Sequence, residues 1–140
     1  MGLRVVIMEP DRDDRTMLMK LVGDLGHEVS IASGKEYCRA VQSSSGQCPL
    51  SEPCCDLQII NNSQVGESGL ELISWQQRHG CMISPENSAV VAEKRSNDLS
   101  MKARRLGSRT FFKPFLVKEL VDWVYQVKKS KEKVRPDDRW

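Results

Sequence analysis

The chain has 140 residues, of which 39% are hydrophobic and 29% charged, and its formal net charge is +2. This length and composition predict one soluble globular domain with a single core. No run approaches the roughly 18 apolar residues that a membrane span needs. The first residues, MGLRVVIMEP, lack the layout of a signal peptide. We therefore expect a cytoplasmic protein that does not associate with membranes.

The charge and the cysteines exclude several kinds of site. A net charge of +2 is too small to predict nucleic-acid binding by itself, although basic residues concentrate toward the C-terminal half. An odd number of cysteines without an export signal favours free thiols over disulfides. Their spacing, even with His79 added, matches none of the paired Cys-x-x-Cys zinc patterns, so we predict no metal site. The five are Cys38, Cys48, Cys54, Cys55 and Cys81.

The first third of the chain predicts alternating strands and helices. Residues 3–8 form an apolar run typical of a strand covered on both faces, and this run ends at Glu9-Pro10-Asp11. A helix follows, with its apolar residues at helical spacing and Gly26 as its stop. Residues 27–32 predict a second strand and residues 34–41 a second helix. Serines and prolines then predict a long irregular loop over residues 43–55.

The centre of the chain predicts a strand, a polar loop and a helix. Residues 56–60 form a short buried strand that stops at Asn61. The polar loop covers residues 63–67. Ser68 and Glu71 then have the spacing of a capping box, which predicts a helix over residues 69–78.

The remaining elements complete a regular alternation. Strands are predicted at residues 88–92 and 109–112, a helix at 97–106 with Gly107 as its stop, and a last helix after Pro114 with Val117 on its inner face. We predict a domain over residues 1–130 and a flexible tail over 131–140. Five strands alternating with five helices predict a doubly wound α/β fold whose site lies at the carboxyl ends of the strands.

Two motifs carry a resemblance to a known family. The unit from Asp56 to the helix start Ser68-Gly69-Leu70-Glu71, together with Lys113-Pro114-Phe115, resembles the response-regulator receiver domain of the chemotaxis type, which has a flavodoxin-like fold. The resemblance extends from about residue 3 to residue 129. It implies a five-stranded parallel sheet of order 2-1-3-4-5, flanked by five helices. It also implies a cis bond between Lys113 and Pro114.

The resemblance implies a degenerate phosphorylation pocket. In the family, an aspartate after the third strand accepts a phosphoryl group, two acids help to bind magnesium, and a hydroxyl and a lysine complete the pocket. Here Asn61 has the aspartate's place and lacks a nucleophilic carboxylate, Pro10 offers no side-chain oxygen, and Glu93 replaces the hydroxyl. The pocket positions are Glu9, Pro10, Asp11, Asn61, Glu93 and Lys113. We expect no catalysis, no cofactor and weak or absent magnesium binding.

Several residues of this pocket have an alternative role. Asp11 is as well placed to cap the first helix as to approach the pocket. Lys113 is either a remaining phosphate-binding cation or a buried amine paired with a carboxylate. Because Glu93 and Lys113 follow neighbouring parallel strands, we predict an ion pair between them. Thr110 has the place of the family's aromatic switch residue, so the usual switching is not expected.

The function predicted from these residues is protein interaction without phosphorylation in a two-component-type system. The partner would be a signalling protein with an acidic surface, or a second copy of the chain, on the face of the fourth helix, fifth strand and fifth helix. The basic residues of that face are Arg95, Lys102, Arg105 and Arg109. The alternative function is binding of a small ligand or metal through the altered pocket or the cysteines. An enzyme of flavodoxin-like fold is disfavoured because no phosphate loop follows the first strand.

Overall fold

The computed structural model describes residues 2–63 and 68–133. One parallel sheet has the order β2-β1-β3-β4-β5, which confirms the predicted order. The strands are β1 (Arg4–Met8), β2 (Glu28–Ile31), β3 (Leu57–Asn61), β4 (Ser88–Ala92) and β5 (Arg109–Phe112). The helices are α1 (Arg12–Asp24), α2 (Arg39–Gln42), α3 (Gly69–Arg78), α4 (Asn97–Leu106) and α5 (Val117–Lys133). No helix within these described ranges has the length and apolar character to span a membrane.

The sheet is covered on both faces, as its continuous apolar strands predict. On one face, residues such as Val5 and Ile59 pack with Leu18 of α1 and Leu120 of α5. On the other face, Ile60 and its neighbours pack against α3. Because successive strand residues point to opposite faces, every residue of β3 and β4 is buried. The carboxyl ends of the central strands are therefore held at a fixed edge.

The helices begin and end at capping residues that the sequence identifies. The Ser68 hydroxyl accepts a hydrogen bond from the Glu71 amide at 3.1 Å and caps α3, as predicted. Asp11 caps α1, since its carboxylate accepts from the Asp14 amide at 2.8 Å. Gly107 ends α4 in the left-handed conformation, with a φ of 90°. These caps satisfy backbone groups that the helices leave unpaired.

The predicted second helix was wrong in its extent. Residues 34–41 divide into a 3₁₀ turn, Lys35–Tyr37, and the single turn of α2. Cys38 separates the two because its backbone is extended, with φ −74° and ψ 132°. The irregular loop that follows, residues 43–56, agrees with the prediction.

The last helix also differs from its prediction at both ends. It begins at Val117, whose side chain is 50% exposed instead of facing inward. It continues to Lys133 and so passes the predicted domain boundary at residue 130. Residues 134–140 of the predicted tail and residues 64–67 of the predicted polar loop lie outside the described residues.

A polar network is buried beneath the sheet, where the sequence predicted only apolar packing. The amide of Gln58 on β3 pairs with the amide of Gln76 on α3, at 2.6 and 3.1 Å. Gln58 also accepts from the Tyr37 hydroxyl at 2.7 Å and donates to the Ser88 hydroxyl at 2.8 Å. Gln76 donates to the Cys38 sulfur at 3.5 Å. Buried amides cost little when every group is paired, and this network fixes α3 against β3.

Two glycine substitutions should change stability in opposite directions. Gly107→Ala should lower the free energy of unfolding by about 1 kcal/mol, because its positive φ strains any residue with a Cβ. Gly23→Ala, inside α1, should raise it by about 0.5 kcal/mol, because alanine favours the helix and meets no atom within 4 Å. Urea denaturation measures both changes. A loss of stability in Gly23→Ala, or none in Gly107→Ala, would contradict this assignment.

Candidate functional site

Four polar side chains meet where the central strands end. Glu9 follows β1, Asn61 is the last residue of β3, Glu93 follows β4 and Lys113 follows β5. The register pairs Asn61 with Val91, and Ala92 with Phe112, so the strand ends are level with one another. The predicted convergence at the carboxyl edge is present in the structure.

Glu9 is the buried centre of this group. Its side chain is 2% exposed. Its Oε1 accepts hydrogen bonds from Lys113 Nζ at 2.8 Å and Asn61 Nδ2 at 3.0 Å. Its Oε2 accepts from Asn61 Nδ2 at 3.0 Å and from the Asp11 backbone amide at 3.1 Å. Both carboxylate oxygens are therefore engaged by donors, as a buried charge requires.

Asn61 acts as a hydrogen-bond bridge. Its Nδ2 donates to both oxygens of Glu9, and its Oδ1 accepts from the Ser63 amide at 2.7 Å. The side chain is buried, so these contacts satisfy it without water. An aspartate here would have no proton to donate at neutral pH and would place a second negative charge about 3 Å from Glu9, as read from the Asn61 contact. The Asn61 amide is thus a group that fits beside the Glu9 carboxylate.

Lys113 contacts three carboxylates. Its Nζ lies 2.8 Å from Glu9 Oε1 and 3.0 Å from Glu93 Oε1, and it makes a short contact with Asp14 Oδ2. The predicted contact with Glu93 is present, but it is not the dominant one. The Glu93 side chain is 59% exposed, against 37% for Asp14 and 2% for Glu9. Water screens the Glu93 contact most, so Lys113 chiefly neutralises Glu9. We call Glu9, Asp14, Asn61, Glu93 and Lys113 the lysine cluster.

The lysine cluster keeps its ammonium charged. Burial by itself would lower the pKa of Lys113, but hydrogen bonds to Asp14, Glu9 and Glu93 outweigh burial and raise the pKa above its ordinary value. Because the pKa of Lys113 is higher in the folded state than in the unfolded state, its charge stabilises the fold. This stabilisation is complete at pH values below 10.5, the pKa of the unfolded state. That contribution is lost as the pH rises through the higher folded-state pKa. The Lys113 ammonium therefore stays charged throughout the neutral range.

Asp14 is the member of the lysine cluster that sequence reasoning missed. It lies in the first turn of α1, where an acidic residue is explained by the helix dipole alone. Its amide is held by the Asp11 cap, which directs the start of α1 toward the strand ends. The signal available in the sequence was the run of acids directly after β1, of which any one could have faced the pocket.

Two predicted pocket residues do not bring side-chain oxygens into the lysine cluster. Pro10 is exposed and has no polar side-chain atom. The Asp11 carboxylate caps α1, and only its backbone amide contacts Glu9.

The bond between Lys113 and Pro114 is cis, as predicted. Thr110 is half-buried on the edge strand β5.

The basic residues of the predicted interaction face are all exposed. Arg95 lies over the Phe112 ring, with 5.2 Å between the guanidinium carbon and the ring centroid. Arg109 lies over the Phe111 ring at 5.6 Å. Lys102 pairs with Asp98 one turn away on α4, at 3.0 Å. Arg105 lies on the same helix, three residues beyond Lys102, so both are on one side of α4.

Comparisons with known proteins identify the fold. No family model and no curated protein sequence matches the chain. Solved structures do match it. The receiver domain of Francisella response regulator 1452 superposes with a TM-score of 0.73 at 16% identity, covering 93% of this chain and 99% of the other. The chain has the receiver fold.

Two further structures support this assignment. A response regulator receiver protein from Pseudoalteromonas atlantica has a TM-score of 0.70 at 21% identity, covering 91% of this chain and 98% of that one. The signal receiver domain of a modulated diguanylate cyclase from Desulfovibrio desulfuricans G20 has a TM-score of 0.69 at 15% identity, covering 96% and 100%. At these identities the likeness concerns the receiver fold alone.

Double-mutant cycles should rank the contacts of Lys113. Glu9→Gln combined with Lys113→Met should show a coupling energy of about 2 kcal/mol, because both side chains are buried. Glu93→Gln combined with Lys113→Met should show about 0.5 kcal/mol, because Glu93 is solvated. Urea denaturation of the wild type, the single variants and the double variants gives both values. An equal or larger coupling for Glu93 would show that Glu9 is not the main partner.

Proposed function

We propose that this chain is a pseudo-receiver, a receiver-fold domain that accepts no phosphoryl group and acts by binding another signalling protein. The observation that carries this proposal is the bridge from Asn61 to Glu9 beside the Lys113 ammonium. Asn61 ends β3, where the family resemblance places the acceptor aspartate. In this proposal the domain is not an enzyme and works in the cytoplasm.

The chemistry of Asn61 supports the loss of phosphorylation. Formation of an acyl phosphate requires a carboxylate oxygen that attacks phosphorus. An amide is a far weaker nucleophile, and the Asn61 oxygen already accepts a hydrogen bond from the Ser63 amide. Glu93 lines an open cleft of about 590 Å³ beside the strand ends, and its carboxylate would repel a phosphate placed next to it.

The same contacts disfavour magnesium. Magnesium needs several oxygen ligands with near-octahedral geometry. Glu9 uses both oxygens for protein donors, Pro10 offers none, and the Lys113 ammonium already neutralises the charge of Glu9. No group of three or more acidic, cysteine or histidine side chains among residues 2–63 and 68–133 is arranged to hold a metal ion. These residues do not fit the divalent cation of a phosphorylating receiver.

The lysine cluster also supports a fixed conformation. In a phosphorylating receiver the lysine contacts the phosphoryl group, so its contacts change with phosphorylation. Here three carboxylates hold Lys113 without any added group. Thr110 stands in place of the aromatic switch residue. We infer that this domain signals through its presence and abundance, because no phosphoryl group arrives to change it.

The partner surface is the basic side of α4 with the neighbouring edge of the sheet. Arg105 is exposed, and Met101, four residues before it, is 53% exposed. A basic and apolar helix face fits an acidic protein surface better than nucleic acid, which needs a denser positive patch. A second copy of this chain is the alternative partner for this surface.

Small-ligand binding through the cysteines finds less support. The cavity that most of the cysteines line has a volume of about 20 Å³, which is room for about one water. No organic ligand fits there without rearrangement.

Phosphorylation should fail in the wild-type protein. Acetyl phosphate with magnesium should leave the intact mass unchanged, because neither a nucleophile nor a cation site is present. A phosphorylation-competent receiver domain treated in parallel is the control and should gain one phosphoryl group. A phosphoryl adduct on the wild type that maps to residues of the lysine cluster would contradict the proposal.

Restoring the acceptor should not restore the reaction. Asn61→Asp should remain without robust phosphorylation, since Pro10 and Glu93 are unchanged. It should also lower the free energy of unfolding by about 2 kcal/mol near neutral pH, because it removes two donors from Glu9 and adds a carboxylate. Robust labelling of this variant, or unchanged stability, would show that the bridge is dispensable.

Charge reversal on α4 should prevent binding of the partner protein. Arg105→Glu should abolish crosslinks between the purified domain and an acidic protein of its source cell, whereas Lys20→Glu should keep them. Lys20 is an exposed lysine on α1 that pairs with Asp24 at 3.2 Å, so it matches the charge change on another face. Equal crosslinking by both variants would exclude the α4 surface.

A further inference from the structure

Four of the five cysteines line one cavity on the α3 side of the sheet. The cavity lies between α2, the loop of residues 43–56 and the end of α3, and its volume is about 20 Å³. Its lining cysteines are Cys38, Cys48, Cys54 and Cys81. Because these four side chains line the same cavity, they are neighbours in space. We call this set the thiol cavity.

The thiol cavity forms where the loop crosses the end of α3. The Cys48 amide donates to the His79 carbonyl at 2.7 Å, which fixes the start of the loop to the helix end. The Cys81 amide donates to the Gln76 carbonyl at 2.9 Å, so Cys81 is held to the last turn of the same helix. Cys54 reaches the cavity from the other end of the loop. Cys81, which follows α3, thus lines the same cavity as Cys48 and Cys54 of the loop.

Cys54 has the environment of a reactive thiol. It is exposed, and the Arg4 guanidinium donates to its carbonyl at 3.4 Å and to the Pro53 carbonyl at 3.2 Å. The neighbouring Cys55 thiol, opposed by partial burial and aided by the Arg4 and Arg39 charges, lowers the pKa of Cys54. A thiolate is the reactive form of cysteine.

The other cysteines differ from Cys54. Cys38 is buried, accepts a hydrogen bond from Gln76, and has a pKa raised by burial to about 11. Cys55 is buried, and its thiol donates to the Leu57 carbonyl at 3.5 Å. Cys48 of the loop and Cys81 beyond α3 are half-buried, and both line the same cavity as Cys54.

We propose that the thiol cavity is a hydroperoxide-sensitive site, in which Cys54 is oxidised first and then forms an intramolecular disulfide with Cys48 or Cys81. The site is separate from the lysine cluster, so this proposal stands independently of the proposed function. A disulfide there joins the loop covalently to the end of α3. The described residues do not offer three metal ligands at this position, which favours thiol oxidation over metal binding.

The reaction balances with hydrogen peroxide as the oxidant. The Cys54 thiolate attacks one peroxide oxygen, the O–O bond breaks, and hydroxide leaves and takes up a proton as water. This step gives a sulfenic acid on Cys54. The second thiol, as its thiolate, then attacks that sulfur, the S–O bond breaks, and a second water leaves. Overall, two thiols lose two protons and two electrons, and one peroxide is reduced to two waters.

Thiol counting by alkylation and intact mass tests the proposal on the full chain. The reduced protein has five free thiols. Limited hydrogen peroxide should remove two of them, and dithiothreitol should return both. Peptide mapping should find the bond between Cys54 and either Cys48 or Cys81. Cys54→Ser should keep its four remaining thiols at the same dose, and a control variant, Cys38→Ser, should still form the bond. In urea the selectivity for Cys54 should disappear, because the environment that activates it is lost.

Three results would overturn the proposal. The first is loss of thiols in Cys54→Ser at the wild-type rate. The second is oxidation of Cys54 to sulfinic acid without a disulfide. The third is a bond elsewhere, either to Cys38 or Cys55 or between two chains, which non-reducing electrophoresis would reveal. Circular dichroism of each variant shows that it is folded, and if Cys38→Ser fails to fold, Cys38→Ala serves as the control.

Discussion

The buried carboxylate of Glu9 sets the main constraint on the strand ends. Burying a carboxylate costs several kcal/mol unless donors surround it. Here the donors come from three directions, namely Asn61 on β3, Lys113 after β5 and the backbone at the start of α1. Each donor can reach Glu9 only because the parallel strands end level with one another. The charge of Glu9 thus links the register of the sheet to the geometry of the site.

The same constraint determines what the site can do. A receiver-fold site that accepts a phosphoryl group needs free carboxylate oxygens for a cation and a lysine that is available to the phosphate. In this chain the lysine ammonium neutralises Glu9 and an amide fills the space beside it. In the function that we propose, these protein groups take the place of metal and phosphate at Glu9. The outer surface remains free to bind a partner, and this is the function that we propose.

The fold could be predicted from the sequence because its strong signals are local. Apolar runs such as residues 5–8, and stops such as Gly107, identify elements without knowledge of the tertiary structure. The convergence of Glu9, Asn61 and Lys113 also followed, since parallel strands share an edge. The prediction made the second helix too long. Cys38 has an extended backbone and a buried side chain, and helix propensity reports neither.

Other features depend on contacts between distant residues and leave no local pattern. Asp14 looks like an ordinary acidic residue of a helix start until Lys113 is placed beside it. Gln58 and Gln76 are polar residues in apolar surroundings, and only the superposition of α3 on β3 shows that they pair. The thiol cavity likewise depends on the path of the long loop across α3. None of these three contacts has a sequence spacing that identifies it.

A magnesium titration followed by two-dimensional NMR tests the central claim most directly. The side-chain amide of Asn61 and the backbone amide of Asp11 both donate to Glu9, so their resonances report on that carboxylate. Because protein groups already engage Glu9, both signals should stay unmoved at millimolar magnesium. The only expected changes are the small ones that a control salt of the same ionic strength also produces. A saturable shift centred on these two signals would show that a divalent cation binds Glu9, and would contradict the account.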